Sequence, residues 1–526
     1  MSRRNWTTHI AALSLTILLA QPAFAQDGED ALRFTARQPS VGVRALGLGG
    51  AGTAGIADLS ALYTNPAGLA YLKGSLFSGG LTSFTTDDDA IYSLGTFRNG
   101  SSNDVSDTGL DHLGYAHRVP TRRGALAIAA SYQRVQTFSR ELFFSGTNDA
   151  NSATEFFLPL PGEFEIDEDP GNDGIAGTAD DVFTPSFSRA LSFIGFETFG
   201  IDLDIDAYEA GDDVPFFPAV TTGSVMQQGV VSEEGSMHEF SLGTAFEASR
   251  GVMVGVTLNV PYGKWEYSRV FDEDDFQNDN DGLAGTVDFD ALTWTETVQS
   301  ELVGVNLRAG VSLEAARDFK VGFTIETPTF YSISEDFATF LETRFDDGFE
   351  SSYGFDFDDD VGNGTFDYEI TTPWRLGAGL AYRLGDLTLL ADAEFVDWSQ
   401  MELGSDDFAF FQENQDISQN LQQVVNTRFG AEYKISDFVV RGGIGYQPDP
   451  RDIRVDLRTD VNSVDRDKMF FSAGFSYLRQ GKFAIDLGWS QERFDDRYAP
   501  YNVSGAPVVD EEIVRNRASL GVRVFI

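Results

Sequence analysis

Across residues 303–313 apolar and polar side chains alternate without a break: Val303, Val305, Leu307, Ala309, Val311 and Leu313 fall on one side of an extended chain, and Gly304, Asn306, Arg308, Gly310 and Ser312 on the other. A period of two is the mark of a strand with one apolar and one polar face. The pattern returns after a short turn, with Phe319, Val321, Phe323 and Ile325 set against Lys320, Gly322, Thr324 and Glu326, and again at 374–383 and 517–526. Short connections at 120–123, 248–251, 314–318, 384–386, 435–437 and 480–482 take turns with long polar ones at roughly 99–106, 139–235, 271–294, 336–364, 403–422, 450–466 and 496–512. If 75–97 is a single leg, these connections join fourteen strands, an even number that returns both ends to one side; splitting that leg at 85–89 gives fifteen. The rhythm predicts an all-β fold: a transmembrane antiparallel β-barrel of about fourteen strands with long extracellular loops. Trp265, Trp294, Trp374, Trp398 and Trp489 lie in or near strand ends, where an aromatic girdle is expected.

Composition narrows the setting. The chain of 526 residues has 82 acidic and 37 basic side chains, 45 Phe, 53 Gly and no Cys. The missing cysteines exclude disulfides, thiol chemistry and Cys-ligated metals, and a net charge of −45 argues against nucleic acid as a partner. Residues 1–25 read as a secretory signal, with Arg3 and Arg4 before an apolar run and Ala23-Phe24-Ala25 at the cleavage site. Ser2-Arg3-Arg4 is only a faint match to a twin-arginine signal. Cleavage removes both arginines and takes the net charge from −45 to −47. No later run reaches the ~18 apolar residues of a membrane helix. The acids crowd the long loops, and only six of the 37 basic residues are lysine, a balance that suits salty surroundings.

Residues 41–72, VGVRALGLGGAGTAGIADLSALYTNPAGLAYL, are too small-sided to form a strand in lipid. Residues 47–52 formally match a dinucleotide fingerprint but lack the strand-to-helix context and the following acid. The stretch instead resembles the N-terminal hatch of the FadL/TodX family of outer-membrane hydrophobic-compound transporters. The resemblance rests on Arg44-Ala45-Leu46-Gly47, Gly49-Gly50-Ala51, Ile56-Ala57-Asp58 and Asn65-Pro66-Ala67-Gly68-Leu69. Glu239-Phe240-Ser241-Leu242-Gly243, Glu326-Thr327-Pro328, Thr372-Pro373-Trp374-Arg375 and Asp397-Trp398-Ser399 extend it over almost the whole mature chain. It implies a signal peptide over 1–25, a lumenal hatch over 26–74, and a barrel over 75–526 with a long extracellular insertion at 139–235, in the outer membrane of a Gram-negative-type bacterium. It further implies passive diffusion of long-chain fatty acids or other hydrophobic molecules, captured among extracellular loops, held in an apolar pocket and released sideways through a kink in the third strand. That strand, 124–138, has no internal Gly or Pro, and the chain ends on Ile526 with Phe525 one place early for a barrel terminus.

The expected partners are outer-membrane lipid and a hydrophobic small molecule bound by a monomeric barrel. Segment 139–235 carries far more Phe than a solvated loop needs, including Phe187, Phe193 and Phe196. Phe337, Phe340 and Leu341 stand at helical spacing within 334–345, after Glu335 and Asp336. These rings either form a ligand groove or pack the loops together. Inward-facing Arg308, Lys320, Arg375, Arg383, Arg428, Arg441 and Arg523 match Glu239, Glu326, Asp392, Glu394, Glu432 and Asp486 as a network seating the hatch, in which an arginine such as Arg375 suits a ligand carboxylate. Residues 172–180 and 280–288 share nearly one phrase, and Asp173, Asp180, Asp279, Asp281 and Asp288 partly satisfy calcium loops; the alternative is solvated turns. No other cofactor is expected. His112, His117 and His238 lack an evident nucleophile motif, so an enzyme is not expected. A second, non-enzymatic expectation is a barrel of the same superfamily that docks or shuttles for a protein-secretion system.

Overall fold

The computed structural model describes residues 28–526 apart from 172–173, 175–180, 222, 278–287, 355–360, 407, 453–463 and 480–481. The expected signal peptide lies outside these residues. Alternation in the sequence becomes a wall with apolar side chains on its outer face: Leu307 is 47% exposed and its neighbour Arg308 only 2%. This is the reverse of a soluble sandwich, since the apolar member faces outward.

In chain order the wall consists of β1 (Leu76–Leu94), β2 (Phe97–Arg118), β3 (Leu126–Thr137) with β4 (Arg140–Asn148), β5 (Val225–Ser249), β6 (Val252–Asp274), β7 (Phe289–Ala316), β8 (Phe319–Glu326) with β9 (Phe330–Phe345), β10 (Gly364–Thr371) with β11 (Arg375–Leu384), β12 (Leu387–Asp397), β13 (Gln423–Ile435), β14 (Phe438–Gln447), β15 (Lys468–Arg479), β16 (Phe483–Tyr498) and β17 (Val508–Phe525). Each leg is antiparallel to the next, and β17 closes on β1 with Phe525 opposite Leu76. Taking each interrupted pair as one leg gives a closed barrel of fourteen. Two interruptions carry Pro328 and Pro373, which cannot donate to a ladder. They lie side by side, where the Thr329 N–H donates to Thr372 Oγ1 at 2.8 Å and the Thr372 N–H to Thr329 O at 3.0 Å.

The strands outrun the apolar outer band, and this corrects several expected boundaries. Residues 99–106 are not a loop: β1 and β2 turn at Gly95, and the polar upper hairpin stays paired as far as Leu94 opposite Phe97. With water on its outer face, that part of the hairpin shows no apolar alternation to read. The expected helix at 334–345 is part of β9. There Phe337 pairs with Val298 and Leu341 with Trp294 of β7, and this ladder overrides the helical spacing. The expected tryptophan girdle holds only for Trp374 and Trp489, 45% and 41% exposed, since Trp265, Trp294 and Trp398 are buried inside the barrel.

The insertion between β4 and β5 caps the extracellular mouth. It contains a 3₁₀ turn (Ala153–Phe157), a hairpin of Phe164–Asp169 and Val182–Phe187, a helix (Ala190–Glu197), and a small pair of Ile201–Leu203 and Phe216–Pro218. Phe157 enters a buried cluster with Phe144, Phe271 and Trp294 from the upper wall.

Candidate functional site

Residues 28–72 lie in the lumen. They comprise α1 (Gly28–Thr35), α2 (Val43–Gly47) and 3₁₀ turns at Leu59–Leu62 and Pro66–Tyr71. Small residues let this segment touch the wall backbone. A Cβ on wall residue Gly310 would overlap the Asn65 side-chain oxygen, one on Gly322 the Thr53 carbonyl, and one on Gly443 the backbone of Gly49. Gly50, at φ 78°, has its Cα turned against the Pro39 carbonyl, which a side chain would strike.

Polar partners complete the seat. Arg44 donates bidentately to Glu432, at 3.0 and 3.1 Å, and reaches Asp58 at 3.3 Å. Asp392 accepts from the N–H groups of Gly52 and Thr53 at 2.7 and 2.8 Å. Asn65, fully buried, caps the Pro66–Tyr71 turn by accepting from Ala67 N–H at 3.0 Å while its amide donates to Thr53 O at 2.6 Å. Thus Arg44, Asn65, Pro66, Ala67 and the glycines Gly47, Gly49 and Gly50 meet the wall, and the inward charges Arg308 and Asp392 answer them, while Gly68 packs within the segment against Ile56 and Ala61. Arg383 does not join: it pairs with Asp318 at 3.0 Å and is 59% exposed at the side chain.

Above this seat lies a cavity of about 270 Å³. Ten basic side chains line it, Arg37, Arg375, Arg428, Arg466 and Arg515 among them, against six carboxylates, an excess of four positive charges in a chain whose net charge is −45. The carboxylates are shared: Glu394 meets Arg428 at 3.3 Å and Arg375 at 3.7 Å, while Glu326 accepts from Arg308 at 2.7 Å and from Arg37 at 2.9 Å. The buried Nε atoms of Arg375 and Arg428 have no hydrogen-bond partner among the described residues. Leu32, Phe138, Trp398, Val424, Phe494 and Ile513 supply apolar wall. Carboxylates just outside the lining answer several of the cations, Asp88 and Glu511 meeting Arg140 and Glu239 meeting Arg308. The lining is therefore amphiphilic and rich in arginine, where the resemblance implied an apolar pocket.

The wall beside this cavity is broken. β2 pairs with β3 only from His112 to Arg118, and the third leg shifts register between Arg134 and Gln136 before stopping short of β4. Higher up, side chains replace the ladder. Asp107 of β2 receives Arg134, with Thr137 Oγ1 at 3.0 Å and Ser139 Oγ at 3.4 Å, and Asn99 donates to Ser145 O at 3.0 Å. No Gly or Pro marks this break; the bulge at Val135 makes it.

The remaining expected site residues are scattered. Of the ligand candidates only Arg375 lines the cavity. Phe187 and Phe196 pack on Phe216 in the cap, at 5.3 and 6.5 Å between centroids, and Phe193 packs on Tyr353. Phe337 and Leu341 face inward on β9 and Phe340 alternates to the other face, so these three do not form one surface. Asp173, Asp180, Asp279 and Asp281 lie outside the described residues, and Asp288 offers its carbonyl to Asp346 N–H at 3.1 Å. One constellation escaped the sequence reading. Ser78 Oγ and His112 Nε2 stand 2.7 Å apart, and His112 Nδ1 lies 2.7 Å from Asp111. Asp111 is also held by Arg517, and the adjoining void of about 10 Å³ holds no more than a water, so this triad has no room for a substrate.

No curated protein matches the sequence. Among solved structures, the Pseudomonas putida toluene transporter TodX is similar at 13% identity and TM-score 0.50, covering 93% of this chain and 99% of its own. A Pseudomonas aeruginosa FadL homologue is similar at 13% identity and TM-score 0.51, again over 93% and 99%. At that identity the likeness shows the fold. Residues 227–501, more than half of the chain, match the family described as "Outer membrane protein transport protein (OMPP1/FadL/TodX)". The chain belongs to this family of outer-membrane channels for hydrophobic compounds, which are transporters and not enzymes.

Proposed function

We propose that the chain carries amphiphiles with an apolar tail and an anionic head, long-chain fatty acids among them, passively across the outer membrane. The carrying observation is the central cavity, where arginines crowd beside apolar wall and the buried Nε atoms of Arg375 and Arg428 have no hydrogen-bond partner among the described residues. Guanidinium forks suit a carboxylate. A neutral hydrocarbon leaves those donors unmet. In this reading the Phe-rich cap captures the ligand, residues 28–72 plug the periplasmic half of the lumen, and the break beside Asp107 is the sideways exit. Calorimetric titration of the purified barrel with dodecanoate and with toluene tests it. Saturable dodecanoate binding that weakens with salt is expected; tighter binding of toluene, or no binding of either, overturns it.

A further inference from the structure

The short strap between α1 and α2 carries a side chain that neither the seat nor the central cavity explains. Ala36, Arg37, Gln38 and Pro39 line the central cavity and also a second cavity of about 80 Å³ on the strap's other side. Gln136 and Thr137, at the wall break, line both as well. The strap is the partition between the two spaces.

Gln38 is fixed through both of its backbone polar groups. Its N–H donates to the carbonyl of Val135, the bulged residue of β3, at 3.2 Å, and its own carbonyl accepts from the Tyr63 hydroxyl at 2.7 Å. The backbone is thus tied to the break on one side and to the lumenal segment on the other. Its carboxamide is tied to nothing: Nε2 and Oε1 are both buried and neither has a partner among the described residues. Gln136 beside it donates to Arg33 O at 3.0 Å, yet its own Oε1 is buried and unpartnered too. Whichever way the Gln38 amide is turned, the partition presents one donor group and two acceptors with no partner.

Buried polar atoms are nearly always paired, so three orphans in one partition call for an occupant that pairs them when it passes. A plain carboxylate has only acceptors: at best it answers the amide donor and leaves both amide oxygens unmet. A hydroxyl both accepts and donates, so it answers the Gln38 amide donor and supplies a proton to one of the two oxygens. Resting on the reading of the central cavity as an anionic head-group site, we propose that Gln38 and Gln136 form a relay site between the two cavities that selects acids bearing a hydroxyl close to the carboxylate. The arginines of the central cavity hold the carboxylate, and the strap amides receive the hydroxyl as the head moves toward the break.

The test is calorimetric titration of the full-length barrel with dodecanoate, 2-hydroxydodecanoate and 3-hydroxydodecanoate, on the wild type and on Gln38→Met, which keeps the side-chain length and removes both hydrogen-bonding atoms. Each variant is first checked for the heat-modifiable migration of a folded barrel. At least one hydroxy acid is expected to bind the wild type about tenfold more tightly than dodecanoate. Gln38→Met should erase that preference, weakening the preferred hydroxy acid about tenfold more than dodecanoate. Equal wild-type affinities for all three acids overturn the relay while leaving the anionic reading standing. An equal loss for all three on Gln38→Met also overturns it, because that is the signature of a displaced strap. If none of the acids binds the wild type, the anionic reading itself falls. Gln136→Met supplies the second arm: it should lower the hydroxyl preference in part, and no change there limits the site to Gln38.

Discussion

Glu273 stands at the extracellular end of β6, well above the lipid band, and is fully buried beneath the cap. Burial is the leading reason that its carboxyl is raised from 4.5 to about 7, and the nearby Glu155 adds to the rise. Three donors oppose it: Ser152 Oγ at 2.5 Å, Ala153 N–H at 2.6 Å and Gln227 Nε2 at 3.1 Å. Burial raises the Glu155 carboxyl as well, and Tyr92 and Tyr501, both buried, are shifted upward so that neither tyrosine charges near neutrality. The docked cap favours the neutral acid. Its stabilising effect is complete below about pH 4.5 and is lost as the pH climbs to about 7. A gap of about 2.5 pK units corresponds to about 3 kcal/mol, or about two orders of magnitude in the equilibrium for opening the cap. Hydrogen exchange of the peptide spanning 150–158, corrected for intrinsic rates, should therefore lose about a hundredfold protection between pH 4.5 and pH 8. Glu273→Gln can offer its carbonyl to Ala153 and Gln227 and its amide to the Ser152 hydroxyl, so it should exchange slowly and evenly across that range. Flat protection in the wild type, or an unchanged slope in the variant, would refute the reasoning.

Three further outcomes follow from the lumen. Arg375→Met should weaken dodecanoate binding by about tenfold and leave toluene binding unchanged, since it removes one charge-assisted donor from the cavity; titration with each ligand decides it. Asp107→Ala removes the acceptor shared by Arg134, Thr137 and Ser139, so dissociation of bound dodecanoate into liposomes should quicken about tenfold; an unchanged rate would separate the break from the exit path. Gly310→Ala places a methyl against Asn65, and overpacking of this kind costs about 1–3 kcal/mol. Trypsin added from the periplasmic side should then cut at Arg44, while the barrel still migrates as folded.

What could be read in advance was set by how local its cause is. The wall strands announce themselves because each apolar residue of the lipid band has a polar neighbour two atoms of backbone away, and Arg44 and Asn65-Pro66 stand out because a cap and a bidentate pair need those side chains. Arg375 was legible as an inward arginine, though its partners Glu394 and Trp398 come from elsewhere in the chain. The upper hairpin of β1 and β2 was hidden because both of its faces are polar. Phe337 and Phe340 misled because spacing along the chain says nothing of a ladder partner such as Val298. The break of the third leg depends on Asp107, in the preceding strand, and Gln38 is one glutamine in a loop until two cavities are seen on either side of it.

The closure of the barrel also bears on how the molecule is made. Ser75 and Ile526 exchange both of their backbone hydrogen bonds, at 3.0 and 2.8 Å, and so join the two ends of the wall. The lumenal segment draws its partners from the last strands as much as from the middle ones: Arg517 donates to Ser40 O at 2.9 Å, and Arg523 reaches Asp58 at 3.8 Å. A half-built sheet therefore offers an incomplete seat, and an unseated segment takes from the inward Arg308, Arg375 and Arg517 the carbonyls of Leu62, Thr35 and Ser40 to which they donate. Threading and closure are one cooperative event, delayed until residues at opposite ends of the chain have met, the slow regime of high contact order. An assembling chain must be kept from partners of its own kind until its last strand arrives.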